Sequence, residues 1–376
     1  MIVLADTNIR MAESAFSQFG TVNCMPGREI TKEHLNNVGM LIVRSVTRVG
    51  EELLRETPVK FVGTTTIGID HIDTGYLRDD NIGFASAPGS NADSVAEYVV
   101  SALFHLNKGS DFKGKTIGII GVGNVGSRVC ARARTLGFQC LLNDPPKKKR
   151  TGCDIFRELP EVLGQADIVT VHVPLENEGE YATRHMINDS FLSMMKEGAI
   201  LVNTSRGNVS DEDAIVKNRS KLGGCVLDVW QNEPDLSEKT LSVADIATPH
   251  IAGYSIDGKI RGTKMVYDAA CAFLFKENKW DAGDYRKEGT QYSIDLKESS
   301  DPVFDAMRFV YPIMEDDAAL REITSKKAEE RASYFDSLRA NYGDRYECLK
   351  YSVVCSKGQE REAGILKGLG FSVVID

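Results

Sequence analysis

The chain has 376 residues, more than one ordinary hydrophobic core accommodates, which predicts two or three domains. With 42% hydrophobic and 26% charged residues it reads as globular, and a formal charge of −9 argues against a general nucleic-acid binder, which needs a net basic face. The eight cysteines form no C-x-x-C pair and no His/Cys cluster with zinc spacing, so no metal site is expected and they read as reduced core thiols of a cytoplasmic protein.

The opening "MIVLADTNIR" lacks the basic segment and long apolar run of a signal peptide, and "IVLA" reads as a first strand. No apolar run approaches the ~20 residues needed to span a bilayer. Up to about residue 90, the runs "MLIVR", "KFVGTTT" and "IGFASAP" alternate with helical patterns, as in a parallel sheet with crossover helices. "NADSVAEYVVSALFHLN" then predicts a long helix, in which His105 reads as a satisfied core or interface residue. A second alternating set follows: "KTIGII", "CLLND", "DIVTVHVPL", "AILVNTS", "GCVLDVW" and "DIATPHIA". These strands are apolar on both faces, as helices on both sides of a parallel sheet require. After Trp280 the polar "DAGDYRKEGTQYSIDLKESSD" reads as a linker, and the segment beyond it, with "KYSVVCS" and "FSVVID", as a small third domain. The expected fold class is α/β: two doubly wound parallel-sheet domains, with a cleft between them, plus a small C-terminal α+β domain.

"KTIGIIGVGNVGSRVC" sets Gly121, Gly123 and Gly126 in G-x-G-x-x-G between an apolar strand and an amphipathic helix. A lone triplet is weak evidence. Between strand and helix it is strong, because the three glycines then allow, in turn, a tight turn, close approach of a pyrophosphate, and close helix–strand packing. Asp144 closes the next strand, where a carboxylate accepts hydrogen bonds from a ribose and repels a 2′-phosphate. NAD is therefore favoured over NADP. The basic run Lys147 to Arg150 points the other way but reads as a solvated loop face.

One of only six histidines, His250, stands in "ATPHIAGYS". Between a proline and an isoleucine, a single histidine is by default a packed residue. Three neighbours change that reading. Arg206 follows the strand in "ILVNTSRG", Asp228 ends the strand in "CVLDVW", and Glu233 comes five residues later. All four fall beyond the carboxyl ends of strands, the rim on which open parallel sheets bind ligands.

These segments, with "GIDHID", "APGSNADSVAEYV", "VHVPL", "LDVWQNEP" and "TPHIAGYS", resemble the D-isomer-specific 2-hydroxyacid dehydrogenases over roughly residues 40 to 270. The resemblance implies a substrate domain from residues 1–92 and 252–280 and an NAD domain from 93–251; a C-terminal dimerisation domain at 286–376 is expected from a narrower resemblance within the family. It implies Arg206, Glu233 and His250 as the catalytic residues. The implied NAD contacts are Gly121, Gly123, Asn124, Val125, Gly126, Asp144, Val173, Ser205, Asp228 and Gly253, with Asp228 anchoring the carboxamide. Val173 departs from the Thr or Cys common in relatives.

Within the family, His71, Tyr254, "DPP" after the second nucleotide-domain strand, "RSVTRV" and the extra segment beyond residue 285 resemble members that act on a small phosphorylated 2-hydroxy acid and form homodimers. Ser45, Thr66 and Tyr254 are then the implied substrate contacts, and Arg44, Arg48, Arg339 or Arg345 the phosphate partners. Neither a membrane nor a nucleic acid is an expected partner. Two other readings share the fold: a dehydrogenase of another hydroxy acid such as 3-phosphoglycerate, and an NAD-sensing module of the corepressor kind.

Overall fold

In the computed structural model, which describes residues 1–283 and 292–376, the apolar runs of the first ninety residues form one parallel sheet. Its strands are Ile2–Asp6 (β1), Thr21–Met25 (β2), Val38–Val43 (β3), Phe61–Thr64 (β4) and Gly83–Ala85 (β5), in the order β2-β1-β3-β4-β5. Strand β2 was not expected from the sequence. It is an edge strand with no buried residue, so it lacks the apolar signature of its neighbours. The helix Ile256–Phe273 returns to this sheet and packs Val266, Tyr267 and Ala270 against Val3, Ala5 and Phe61. A Cβ on Gly63 would stand 2.3 Å from Val266, so the glycine is what lets this helix come close. Residues Met1–Asn91 and Ser255–Thr290 thus form one unit.

The second unit comprises Ala92–Tyr254 and Gln291–Asp376. Its sheet is built from Thr116–Ile120 (β6), Gln139–Asn143 (β7), Ile168–Val171 (β8), Ile200–Asn203 (β9), Gly224–Leu227 (β10) and Ile246–Ala247 (β11), all parallel, in the order β11-β10-β9-β8-β6-β7. The order reverses direction at β6, which has β7 on one side and β8 on the other. In an open sheet that reversal opens a crevice at the strands' carboxyl ends. The long helix Ala92–Asn107 packs in this unit, and its His105 differs from expectation: the ring lies against Phe304, 5.6 Å between centres, with Nε2 buried and unpartnered.

The C-terminal stretch contributes a parallel sheet of Tyr292–Asp295 (β12), Tyr351–Cys355 (β13) and Ser372–Ile375 (β14). The expected linker is therefore partly a strand, since β12 lies inside it, while residues 284–291 of that linker lie outside the described residues. The Tyr292 ring rests on those of Tyr346 and Tyr351, at 5.3 and 5.0 Å, which gives a polar-looking segment an apolar anchor. Leu320, Ile323 and Phe335 share one core with Trp230, Leu241 and Ala247. The stretch thus has its own sheet but joins the nucleotide-binding unit through its helices. The α/β class with two larger parallel sheets and a small C-terminal part is the fold the structure adopts; the C-terminal strands are parallel and alternate with helices, so that part is itself α/β where α+β was expected. Among the described residues no helix is long and apolar enough to cross a membrane.

Candidate active site

At the reversal point, Gly121 leaves β6 with φ 83°, a left-handed turn that favours glycine. A Cβ there would stand 2.5 Å from the carbonyl oxygen of His172, just past β8. A Cβ on Gly126 would stand 2.0 Å from the Gly121 carbonyl oxygen. Gly123 is different: a Cβ there would meet nothing within 4 Å. Two glycines thus serve packing, and the third keeps an open face in front of the helix Asn124–Thr135, whose first residues include Asn124 and Val125.

Asp144, at the end of β7, accepts the Val122 N–H (2.8 Å) and the Lys147 N–H (2.9 Å), so one carboxylate both shapes the glycine loop and caps the helix Pro145–Thr151. The basic run beside it is largely tied down: Lys147 donates to the Val122 carbonyl (2.7 Å), Lys148 pairs with Glu158 and Lys149 with Glu180. His172 bonds Thr170 and Thr204, and burial pushes it down to about 3, so it is a neutral structural residue. Val173 follows it, half-buried, and Ser205 is buried against the Asn203 side chain. An open glycine face at a helix start, with the Asp144 carboxylate just past the next strand, fits NAD.

Arg206 follows β9. Its carbonyl accepts from Asn203 Nδ2 (3.2 Å), and its Nη1 donates to the Ser205 carbonyl (2.8 Å). Gly207 must be glycine because a Cβ would lie 1.8 Å from the Trp230 carbonyl oxygen, which brings the segments after β9 and β10 together. Glu233 Oε1 accepts the Trp230 N–H (2.8 Å), and Oε2 lies 2.7 Å from His250 Nδ1. Burial raises the Glu233 carboxyl, but His250, the Trp230 N–H and the nearby Arg339 outweigh it, and the group ends below the usual range. Arg206, Trp230, Gln231, Glu233 and His250 line one cavity of about 190 Å³. A cavity of about 310 Å³ at the opposite, amino ends of β8 and β9 is bordered by the Asp167–Lys196 ion pair and lacks the rim geometry of a dinucleotide site.

His250 has φ 57°, a left-handed backbone that costs a non-glycine residue about 1–3 kcal/mol. Asp228 holds it there. Its carbonyl accepts the His250 N–H (2.7 Å), and its buried carboxylate accepts the Thr248 hydroxyl (2.7 Å) and the N–H groups of Ile251 (2.8 Å) and Ala252 (3.1 Å). Burial pushes the carboxyl up to about 6 against the pull of His250 and these donors. The motif points to a cofactor contact for Asp228 and carries no sign of this loop-holding duty. Gly253 and Tyr254 follow on the same loop, and the Tyr254 ring meets Tyr342 edge-on at 5.6 Å.

Arg206, Glu233 and His250 thus converge on one cavity. Ser45 and Thr66 belong to the other unit: Ser45 is exposed after β3, and the Thr66 hydroxyl, after β4, bonds Thr64 (2.7 Å) and the Gly68 carbonyl (3.1 Å). Arg345 is not presented to a ligand but buried among Glu97, Ser94 and the Tyr254 carbonyl. Arg339 is half-buried, with no hydrogen-bond partner at Nε. Sequence reasoning also missed Glu212, whose carboxylate accepts the Gln231 N–H (2.7 Å) and the Thr240 hydroxyl (3.0 Å), because no motif marks it.

Residues 94–252 match the model of the D-isomer specific 2-hydroxyacid dehydrogenase NAD-binding domain, and residues 286–370 match a domain family of unknown function. The chain is 43% identical to an erythronate-4-phosphate dehydrogenase of Salinibacter ruber, over 98% of this chain and 97% of that one. It is 42% identical to that of Proteus mirabilis over 99% of both. Among solved structures it is similar to D-lactate dehydrogenase from Aquifex aeolicus complexed with NAD and lactic acid, with TM-score 0.59 and 26% identity, covering 73% of this chain and 95% of that one. The NAD⁺-bound 3-phosphoglycerate dehydrogenase of Entamoeba histolytica, at 22% identity and TM-score 0.63 over 76% of this chain and 99% of that one, shares the fold.

Proposed function

Because the chain belongs to the erythronate-4-phosphate dehydrogenases, a branch of the NAD-dependent D-isomer-specific 2-hydroxyacid dehydrogenases, we propose that it oxidises 4-phospho-D-erythronate to 2-oxo-3-hydroxy-4-phosphobutanoate, in the biosynthesis of pyridoxal phosphate. The observation that carries this reading is the convergence of Arg206, Glu233 and His250 on one cavity beyond the carboxyl ends of the nucleotide-domain strands.

NAD held at the open Gly123 face before the helix Asn124–Thr135 would supply the acceptor for the hydride of C2. The chain's own residues do the rest. Arg206 offers a forked pair of donors to the substrate carboxylate and fixes C2 in place. Glu233 accepts from His250 Nδ1, which leaves the Nε2 lone pair free to receive the proton of the C2 hydroxyl. The Glu233 charge opposes the charge the ring gains with that proton. Since Glu233 is held below the usual carboxylate range, it stays ionised throughout the neutral region. Ser45, Thr66 and Tyr254 supply hydroxyls suited to a polyol phosphate.

The same reading places the enzyme in the cytoplasm, where eight free thiols stay reduced, and makes it a homodimer through its C-terminal stretch. That stretch exposes Phe309, Leu349 and Ile375, apolar side chains suited to a second copy.

The test is a single turnover of NAD⁺-loaded protein, followed at the NADH absorbance band, with 4-phospho-D-erythronate and 3-phosphoglycerate side by side. Fast reduction with the first, loss of it in His250→Ala, and little with the second are expected. Preference for 3-phosphoglycerate would reassign the substrate, and no reduction with any 2-hydroxy acid would favour a binding module.

A further inference from the structure

The C-terminal stretch carries a guanidinium that the proposed reaction does not use. Arg345, 7% exposed, donates from Nε to the Tyr254 carbonyl (3.0 Å), from Nη1 to Glu97 Oε2 (3.1 Å) and from Nη2 to the Ser94 hydroxyl. Its guanidinium carbon lies 4.1 Å from the centre of the Tyr311 ring. The Ser94 hydroxyl passes the bond on, donating to the Ala252 carbonyl (2.8 Å). Glu97 Oε1 accepts the Cys348 N–H (2.9 Å), which ties the segment bearing Arg345 to the helix Ala92–Asn107.

The loop that bears His250 is therefore gripped from two sides. Asp228 takes the N–H groups of residues 250, 251 and 252. Arg345 takes the carbonyl of residue 254 directly and that of residue 252 through Ser94. A left-handed His250 does not hold its place by local preference, so both grips matter to where its ring points. A buried Arg–Glu pair contributes little net stability compared with apolar residues of the same volume, so what this pair adds lies in the hydrogen bonds it directs at the loop. We propose that Arg345 is a positioning residue for hydride transfer: from the C-terminal stretch it completes the clamp that aims the His250 imidazole and the Tyr254 side chain. This rests on the proposed function for its kinetic consequence, though not for the clamp itself.

Three variants test it. Arg345→Met keeps the stem, Arg345→Lys keeps a charge and a donor, and Ser94→Ala removes only the relay to Ala252. Amide hydrogen exchange across residues 248–255 reads the clamp without substrate, and NAD affinity by protein fluorescence reads the cofactor site. In Arg345→Met, exchange at Ile251 and Ala252 should quicken while NAD affinity stays within about twofold, and kcat with 4-phospho-D-erythronate should fall about ten- to a hundredfold with little change in KM. The isotope effect with C2-deuterated substrate should rise, because a mis-aimed base slows the chemical step, and Arg345→Lys should recover part of kcat. A merely structural role would lower the active fraction and leave the isotope effect unchanged. A folded Arg345→Met with wild-type exchange and kcat overturns the proposal. If that variant does not fold, Ser94→Ala decides: quicker exchange supports the clamp, wild-type exchange removes it. Wild type inactive on 4-phospho-D-erythronate would instead overturn the substrate assignment, and exchange would still judge the clamp.

Discussion

Glu233 holds His250 by Nδ1 at 2.7 Å while its other oxygen takes the Trp230 N–H at 2.8 Å, so the residue that orients the imidazole is itself fixed by the backbone. Two consequences separate cleanly. Glu233→Gln keeps the shape and loses the charge, and should lower kcat about a hundredfold with KM nearly unchanged. Glu233→Ala also strands the Trp230 N–H, and should additionally cost about 1–3 kcal/mol of stability. Steady-state kinetics and thermal unfolding on both variants check this. Wild-type kcat in Glu233→Gln would take Glu233 out of the reaction.

Asp144 serves two ends, and substitution can part them. Its carboxylate caps the helix Pro145–Thr151 and braces Val122, and in the proposed NAD site the same charge would disfavour a 2′-phosphate. Serine retains the cap and drops the charge. Asp144→Ser should therefore raise kcat/KM for NADP and lower it for NAD, and with one oxygen in place of two should lose about 1 kcal/mol through the Val122 N–H, whereas Asp144→Ala should lose the helix cap as well. The ratio of the two cofactor efficiencies is the measurement. An unchanged ratio would mean that another residue reads the ribose.

Legibility in the sequence followed how local each requirement is. Gly121 and Gly126 were readable because their neighbours lie within one strand–turn–helix unit or the adjoining strand end. That Arg206, Glu233 and His250 share one rim was readable because each stands beyond a strand of a parallel sheet, where position along the chain fixes position in space. Strand β2 was not, since an exposed edge carries no apolar pattern, nor was β12, whose tyrosine anchor comes from residues far along the chain. Arg345 was the least legible. Its partners Glu97 and Ser94 lie 248 and 251 residues away, so nothing in "YGDRYE" tells a buried clamp from a surface arginine.

The glycines predict opposite behaviours within one motif. At Gly126 a methyl group would run into the Gly121 carbonyl, so Gly126→Ala should destabilise the fold by about 1–3 kcal/mol. At Gly123 a methyl group meets no protein atom, so Gly123→Ala should cost only what the N-cap position and a ψ of −145° demand of a non-glycine residue, about 1 kcal/mol. Its cost should appear in NAD binding, where the methyl stands on the open face. Unfolding midpoints and NAD titration of the two variants check this. Wild-type NAD affinity in Gly123→Ala would move the pyrophosphate off that face.

Asp316 gives the stability a pH dependence whose sign can be worked out. Burial pushes its carboxyl from an ordinary 3.8 up to about 7, against the opposing Tyr342 hydroxyl, which donates to it at 2.9 Å, and the charge of Arg345. A folded value above the unfolded one means that the folded state binds the proton more tightly. The contribution is complete below about pH 4 and disappears as pH rises through 7. Asp228, raised to about 6, acts in the same direction. The melting temperature should therefore fall between pH 4 and pH 7, and that of Asp316→Asn, neutral throughout, should fall less. Tyr342→Phe removes the donor that favours the charged carboxylate, so its window should move to higher pH. Because Tyr342 also packs against Tyr254, the ionisation of Asp316 is one ring away from a proposed substrate contact. KM should then drift upward over the same interval in wild type and less in Asp316→Asn, and a stability profile identical in the two proteins would place the Asp316 proton outside this window.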